Sequence, residues 1–126
     1  MIENELSKTI LTAAIEVHRT LGGPGLLESV YEEALAWELT QGGLYVQRQE
    51  PMPIPYKGQF LATPLKIDLI VAKRVIVECK ATSKYHEVFE AQTLTYLRLT
   101  GLKLGLVINF GERLVKDGVH RVVNGL

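Results

Sequence analysis

The segment 65–80, LKIDLIV-AKR-VIVECK, constrains the fold of this chain more than any other stretch. Two runs rich in Ile and Val flank the short break Ala72-Lys73-Arg74, the pattern of two strands folded back on each other. A hairpin this apolar is not stable alone in water and has to be part of a larger sheet covered by other elements. If all three break residues form the turn, Val71 faces Val75, and counting back along both strands puts Asp68 opposite Glu78. Their Cβ atoms are then expected about 5 Å apart on one face. Lys80, two residues past Glu78, emerges on that same face, while Cys79 points to the other. A two-residue turn would shift the register by one and spoil the direct pairing.

The rest of the chain supplies the cover. Leu6, Ile10, Ala13, Ala14, Val17 and Leu21 recur at steps of three and four, which predicts an amphipathic helix ended by Gly22-Gly23-Pro24-Gly25. A second helix is expected over about 26–40, with Leu27, Tyr31, Ala34 and Leu35 on one face and Gly42-Gly43 closing it. Segments 44–49, 53–56 and 59–62 read as short strands, the last two joined by a Lys57-Gly58 turn. Pro51, Pro53 and Pro55 assign this region to a sheet edge, because proline cannot donate to a ladder. A third helix is expected over about 86–100, followed by a buried strand at 104–110 and a short last one at 119–123. The order predicts an α/β fold, one mixed β-sheet flanked by helices. With 126 residues and no repeat or linker, 1–126 reads as a single domain.

Charge and cysteine use narrow the function classes. Fourteen Lys and Arg offset fourteen Asp and Glu, so the chain does not coat nucleic acid by bulk charge, though a local basic rim is compatible with that balance. Cys79 is the single cysteine, which leaves neither an internal disulfide nor a zinc cluster. The start, MIENELSKTI, lacks the basic-then-apolar order of a secretory signal. No apolar run approaches the roughly 18 residues of a membrane span. A cytoplasmic protein with no membrane partner is the expectation.

The chemistry concentrates on the hairpin. Two carboxylates facing each other across a sheet repel, and partial burial between apolar strands sharpens the cost. A divalent cation held by both would compensate, and hard oxygen ligands suit Mg²⁺ or Mn²⁺. Lys80 offers a partial remedy as a point charge able to orient a water or stabilise an oxyanion. The competing reading is an outward, solvated pair with Lys80 as its surface partner. His18, His86 and His120 form no constellation, and Cys79 fits a small buried apolar residue better than a nucleophile.

Further motifs stand in order along the chain: EVHRTLG at 16–22, Gly25-Leu26-Leu27-Glu28-Ser29-Val30-Tyr31, KIDLIV with Asp68, VECK, and AQTLTYL at 91–97. Together they resemble the PD-(D/E)XK nuclease superfamily, its RecB-like branch, and within it the GxxExxY proteins, over about residues 5 to 124. The resemblance implies a restriction-endonuclease-like core and a metal-dependent nuclease, a hydrolase of phosphodiester bonds acting on nucleic acid, DNA foremost. It implies that Asp68 and Glu78 ligate the metal, that Cys79 lends its backbone carbonyl, and that Lys80 positions the attacking water. Glu28 would complete the metal site from the second helix, although a glutamate in a first helical turn is also favoured by the helix dipole. Gln92 and Tyr96, spaced i and i+4 on the third helix, match the Q-x-x-x-Y pair that assists the site or contacts the nucleic-acid backbone. Tyr31 would contact substrate or brace the site, or simply pack. Ile67 stands where the superfamily often has the proline before the aspartate, a departure that removes no ligand. A nuclease-fold module that binds nucleic acid or a protein without cleaving is the alternative, and a homodimer or larger partner would supply the target selection so small a domain lacks.

Overall fold

The computed structural model describes residues 2–126. Helix α1 spans Glu3–Thr20 and buries Leu6, Ile10, Ala14 and Val17, the stripe expected from their spacing. Helix α2 follows at Glu28–Gln41, then strand β1 at Val46–Met52. A small hairpin of β2 (Pro55–Tyr56) and β3 (Gln59–Phe60) precedes the long strands β4 (Leu65–Val71) and β5 (Val75–Lys80). Helix α3 occupies Val88–Thr100, β6 Leu104–Asn109 and β7 Val119–Val123, with a 3-10 turn at Val115–Gly118 between the last two strands.

The sheet runs β1-β4-β5-β6-β7. All neighbours are antiparallel except β5 and β6, which are parallel and joined through α3. A parallel pair needs such a crossover, and the helix covers the sheet as it returns. The packing has two sides. Helices α1 and α2 close over Leu69, Val71, Val75, Val77, Leu106 and Ile108, while Leu97 and its neighbours on α3 cover Ile70, Ile76 and Val107. Strand β6 is buried along its whole length, and β5 along all but Lys80. This is the mixed sheet flanked by helices that the order of sequence patterns predicts.

Two glycines allow the close approaches this packing requires. A Cβ on Gly105 would sit 2.5 Å from Thr93 Cγ2, where α3 crosses β6. One on Gly111 would sit 2.3 Å from the Thr82 carbonyl oxygen, where the exit of β6 presses on the exit of β5. Asn109 fastens the same corner: its amide donates to Thr82 O, and its Oδ1 accepts from Thr82 N–H, all at 3.0 Å.

The edge differs from the sequence reading in two respects. The strand expected over 44–49 instead runs through Pro51, which pairs with Lys66. That is tolerated because β1 has β4 as its one neighbour in the sheet, and proline's missing donor costs nothing on the outer side. The strands expected over 53–56 and 59–62 do not extend the main sheet. They pair with each other as β2 and β3, turning at Lys57 and Gly58 with φ of 48° and 78°.

Candidate metal centre

The turn between β4 and β5 sets the site. Ala72 and Lys73 both have positive φ (53° and 57°), and the Arg74 N–H closes on Val71 O at 3.0 Å. Arg74 is the extra residue, so Val71 faces Val75 and Leu69 faces Val77. The three-residue break therefore gives the register expected from the sequence, and Asp68 and Glu78 are cross-strand neighbours.

The backbone ladder ends one step before them. Beyond Leu69 and Val77 the strands are joined by the carboxylates themselves. The Asp68 N–H donates to Glu78 Oε2 at 2.8 Å, and the Cys79 N–H donates to Asp68 Oδ2 at 2.9 Å. Each side chain thus replaces a carbonyl of the opposing strand and is fixed by a main-chain donor. Glu78 Oε1 accepts no hydrogen bond among the described residues.

On the other side of β4 the edge strand is distorted to match. Arg48 pairs with Leu69 and Glu50 with Ile67, but Gln49 between them has φ 53° and drops out of the ladder. Its amide donates to Asp68 Oδ1 at 3.1 Å and to Glu32 Oε1 at 2.9 Å. Glu32, buried on α2, accepts in turn from Arg48 Nε at 2.7 Å. Alternation along β4 breaks at the same level, since Ile67 packs with Ile70 and Ile76 rather than with Leu69 and Val71.

Electrostatics follow from this burial. Glu78 is 4% exposed, and its carboxyl is pushed up to about 8, first by burial and then by the Asp68 charge. The Asp68 N–H and Lys80 oppose the rise without cancelling it. Asp68 is pushed up to about 6, again first by burial; the Cys79 N–H holds it down, Glu32 raises it, and Gln49 and Lys80 lower it. Lys80 is thus the cation acting on both carboxylates. Its ammonium lies over the Phe89 ring, 4.6 Å from the centroid, so part of its field is directed at the ring.

The remaining sequence candidates separate clearly. Tyr96 is half-buried on α3, and its hydroxyl pKa is raised by burial and then by the Glu78 and Asp68 charges, which places it beside the pair. Gln92 is exposed one turn earlier and makes no hydrogen bond among the described residues. The Cys79 thiol is fully buried on the α1/α2 side, and burial pushes its pKa far up, in keeping with its reading as a small core residue. Glu28 opens α2 and is exposed, and among the described residues it makes no hydrogen bond to Asp68 or Glu78 or to the groups that hold them. The acid that α2 brings to the pair is Glu32, one helical turn later. Tyr31 requires correction as a substrate contact. It is fully buried, stacks on Phe110 at 4.8 Å, and donates its hydroxyl to Gly23 O at 2.7 Å while accepting from Leu26 N–H at 3.1 Å. Its role is to pin the glycine-rich loop before α2. His18 is likewise spent inside, with Nε2 3.0 Å from Phe110 O.

Sequence reasoning missed Glu32, Arg48 and Gln49. A second glutamate four residues after Glu28 and a polar R-Q-E run on an edge strand were visible, but both look like solvated surface until β1 is laid against α2.

The donor set suits a hard divalent ion: two carboxylates, one with a free oxygen, whose mutual repulsion no neighbouring cation removes. Among the described residues no group of three or more His, Cys, Asp and Glu side chains is gathered to hold an ion, so further ligands would be main-chain oxygens or water. The cleft of about 340 Å³ bordered by His18, Arg19, Arg113 and Val115 contains neither carboxylate.

A family model described as the PD-(D/E)XK nuclease superfamily matches residues 4–122. The chain belongs to the PD-(D/E)XK nuclease superfamily. The match runs from the start of α1 into β7, and three helices around a five-stranded mixed sheet agree with the restriction-endonuclease-like fold of PD-(D/E)XK proteins. PD-(D/E)XK nucleases typically use divalent metals, and membership points to a nucleic-acid substrate. No curated protein and no solved structure matches the chain significantly. No helix among the described residues is long and apolar enough to cross a membrane.

Proposed function

We propose that this single-domain PD-(D/E)XK protein is a Mg²⁺- or Mn²⁺-dependent nuclease that hydrolyses phosphodiester bonds, with DNA as its first substrate. The observation that carries this reading is the Asp68/Glu78 pair, two carboxyl groups side by side, Glu78 buried, anchored by main-chain donors next to Lys80, where a divalent cation would favour their ionised forms. When bound, the cation would neutralise both carboxylates and stabilise charge developing on a phosphodiester oxygen. Asp68 and Glu78 hold their oxygens in place because each is anchored by a main-chain N–H of the opposing strand. Gln49 fixes the remaining Asp68 oxygen and transmits the position of Glu32. The Cys79 carbonyl, between the glutamate and the lysine, is proposed as a further ligand. Lys80 Nζ can donate to an attacking water or to a phosphate oxygen. Tyr96, beside the carboxylates, and exposed Gln92 on the same helix are suited to the nucleic-acid backbone. Glu28 is suited to an outer contact at the mouth of α2 rather than to the pair itself.

A second reading, a module that binds without cleaving, is favoured by the absence of a third side-chain ligand among the described residues. One experiment separates them. Melting curves are recorded in EDTA, Mg²⁺ and Mn²⁺ for the wild type and for Asp68→Ala and Glu78→Ala. Metal is then added to plasmid, single-stranded DNA and RNA with each protein. The nuclease reading expects metal to raise the wild-type transition and support cleavage, with both variants silent. A wild type indifferent to metal sinks it, and metal binding without cleavage of any substrate favours the module.

A further inference from the structure

The hairpin of β2 and β3 is outside both packing clusters and carries exposed aromatic rings. Tyr56 is 51% exposed, Phe60 70% and Leu61 41%. The pairing is Tyr56 with Gln59 and Pro55 with Phe60, and paired residues share a face. Tyr56 and Phe60 therefore stand on opposite faces, one ring on each side of a thin blade. Its tip is fixed: Lys57 and Gly58 both have positive φ, the geometry of a type I′ turn that matches strand twist. The Lys57 ammonium lies 5.5 Å from the Tyr56 ring centroid, putting a cation at the end of the blade.

Position and charge indicate what the blade meets. The hairpin leaves the sheet where Met52 pairs with Leu65. Leu65 is three residues from Asp68, about 10 Å along a strand, or the rise of about three nucleotides in a duplex strand. Because β4 is antiparallel to β5, this is also the end of the sheet at which Lys80 emerges. Residues 51–67 contain Lys57 and Lys66 and no carboxylate, in a chain whose formal net charge is zero. A polyanion is favoured there. A second copy of the chain fits poorly, since rings on opposite faces cannot share one flat contact. Nor do three side chains approach the roughly 800 Å² per partner of a stable interface.

We infer that the β2–β3 hairpin is an aromatic blade that stacks unpaired bases on Tyr56 and Phe60, so that single-stranded or locally opened nucleic acid is held beside the acidic pair. The inference rests on the nuclease reading for its substrate class, but it is tested apart from catalysis. Rings that stack on any base give affinity without sequence preference, and Lys57 adds a phosphate contact.

The test is fluorescence anisotropy of a labelled oligothymidylate and a labelled duplex, in EDTA, with the full chain. Tyr56→Ala/Phe60→Ala should weaken oligothymidylate binding at least tenfold and duplex binding much less. Tyr56→Trp/Phe60→Trp should retain it, and Lys57→Ala should reduce the salt dependence by about one phosphate contact. Both rings are exposed, so the double variant should melt with the wild type, and the tryptophan variant guards against a folding artefact. Equal binding by wild type and double alanine variant, or no wild-type binding to either probe, overturns the inference. So does sedimentation showing a wild-type dimer that the alanine variant loses, which would make a second copy the occupant. If the rings matter for binding while metal neither shifts melting nor supports cleavage, the blade stands and the nuclease reading fails. If metal supports cleavage and the rings are dispensable, the blade alone fails.

Discussion

Replacing Glu78 with glutamine should stabilise the metal-free protein, although the residue is buried and hydrogen-bonded. The amide oxygen can still accept the Asp68 N–H that Glu78 Oε2 accepts now, so the main loss is the ionisable proton. Glu78 is pushed up to about 8 in the fold, against an ordinary value of 4.5. At pH 7 the native chain keeps a proton that the unfolded chain releases. Each pH unit across that interval costs about 1.4 kcal/mol, so the penalty at pH 7 is about 3 kcal/mol. The sign is that of a raised acid: no penalty below about pH 4.5, growing loss of stability up to about pH 8, and none added above it. An unfolding entropy of about 2.1 cal/mol/K per residue converts 3 kcal/mol into about 10 °C for a chain of 126 residues. The assay is thermal melting in EDTA from pH 4.5 to 8.5, wild type beside Glu78→Gln. The variant should melt higher at pH 7, with the gap closing towards pH 4.5. Saturating Mg²⁺ should then raise the wild type by about 3 kcal/mol at a hundredfold excess over Kd and leave the variant unchanged, narrowing the gap. A variant that melts below wild type in EDTA at pH 7, or a gap indifferent to pH, would show that Glu78 is not a strained acid and refute the reasoning.

Two further predictions concern the supports of the site. Tyr31→Phe leaves Gly23 O and Leu26 N–H without their partner and should cost about 1–3 kcal/mol in urea unfolding, with the Mg²⁺ melting shift unchanged. A lost metal response would mean that the loop before α2 belongs to the site. Gly111→Ala should be far worse than Gly105→Ala, because its Cβ meets the Thr82 backbone whereas that of Gly105 meets a threonine methyl able to yield. A cost above about 3 kcal/mol is expected for Gly111→Ala, and equal midpoints for the two variants would contradict the packing described at that corner.

The chain by itself determined the helices, the long strands and the Asp68–Glu78 register. Those rest on local signals: the apolar steps from Leu6 to Val17, the Ile/Val runs of 65–80, and a break whose three residues, if all are in the turn, put both carboxylates on one face, as the positive φ of Ala72 and Lys73 and the Val71–Val75 pairing then show. The same locality explains what it misplaced. Segments 53–56 and 59–62 carry strand-like residues, but whether they extend the sheet or close on each other depends on where β1 stops against β4. Tyr31 looked able to face the site because helix spacing gives a face, not what covers it; only the packing of Phe110 shows that face to be sealed. That α2 turns Glu32 towards Asp68 was not legible in the sequence for the same reason. Glu28 and Glu32 are one turn apart and equivalent in sequence, and Arg48 and Gln49 on a distant strand select between them. Burial, and with it the raised carboxyls of Asp68 and Glu78, was decided by tertiary structure alone, because desolvation depends on which surfaces meet and no residue carries that information in its own identity.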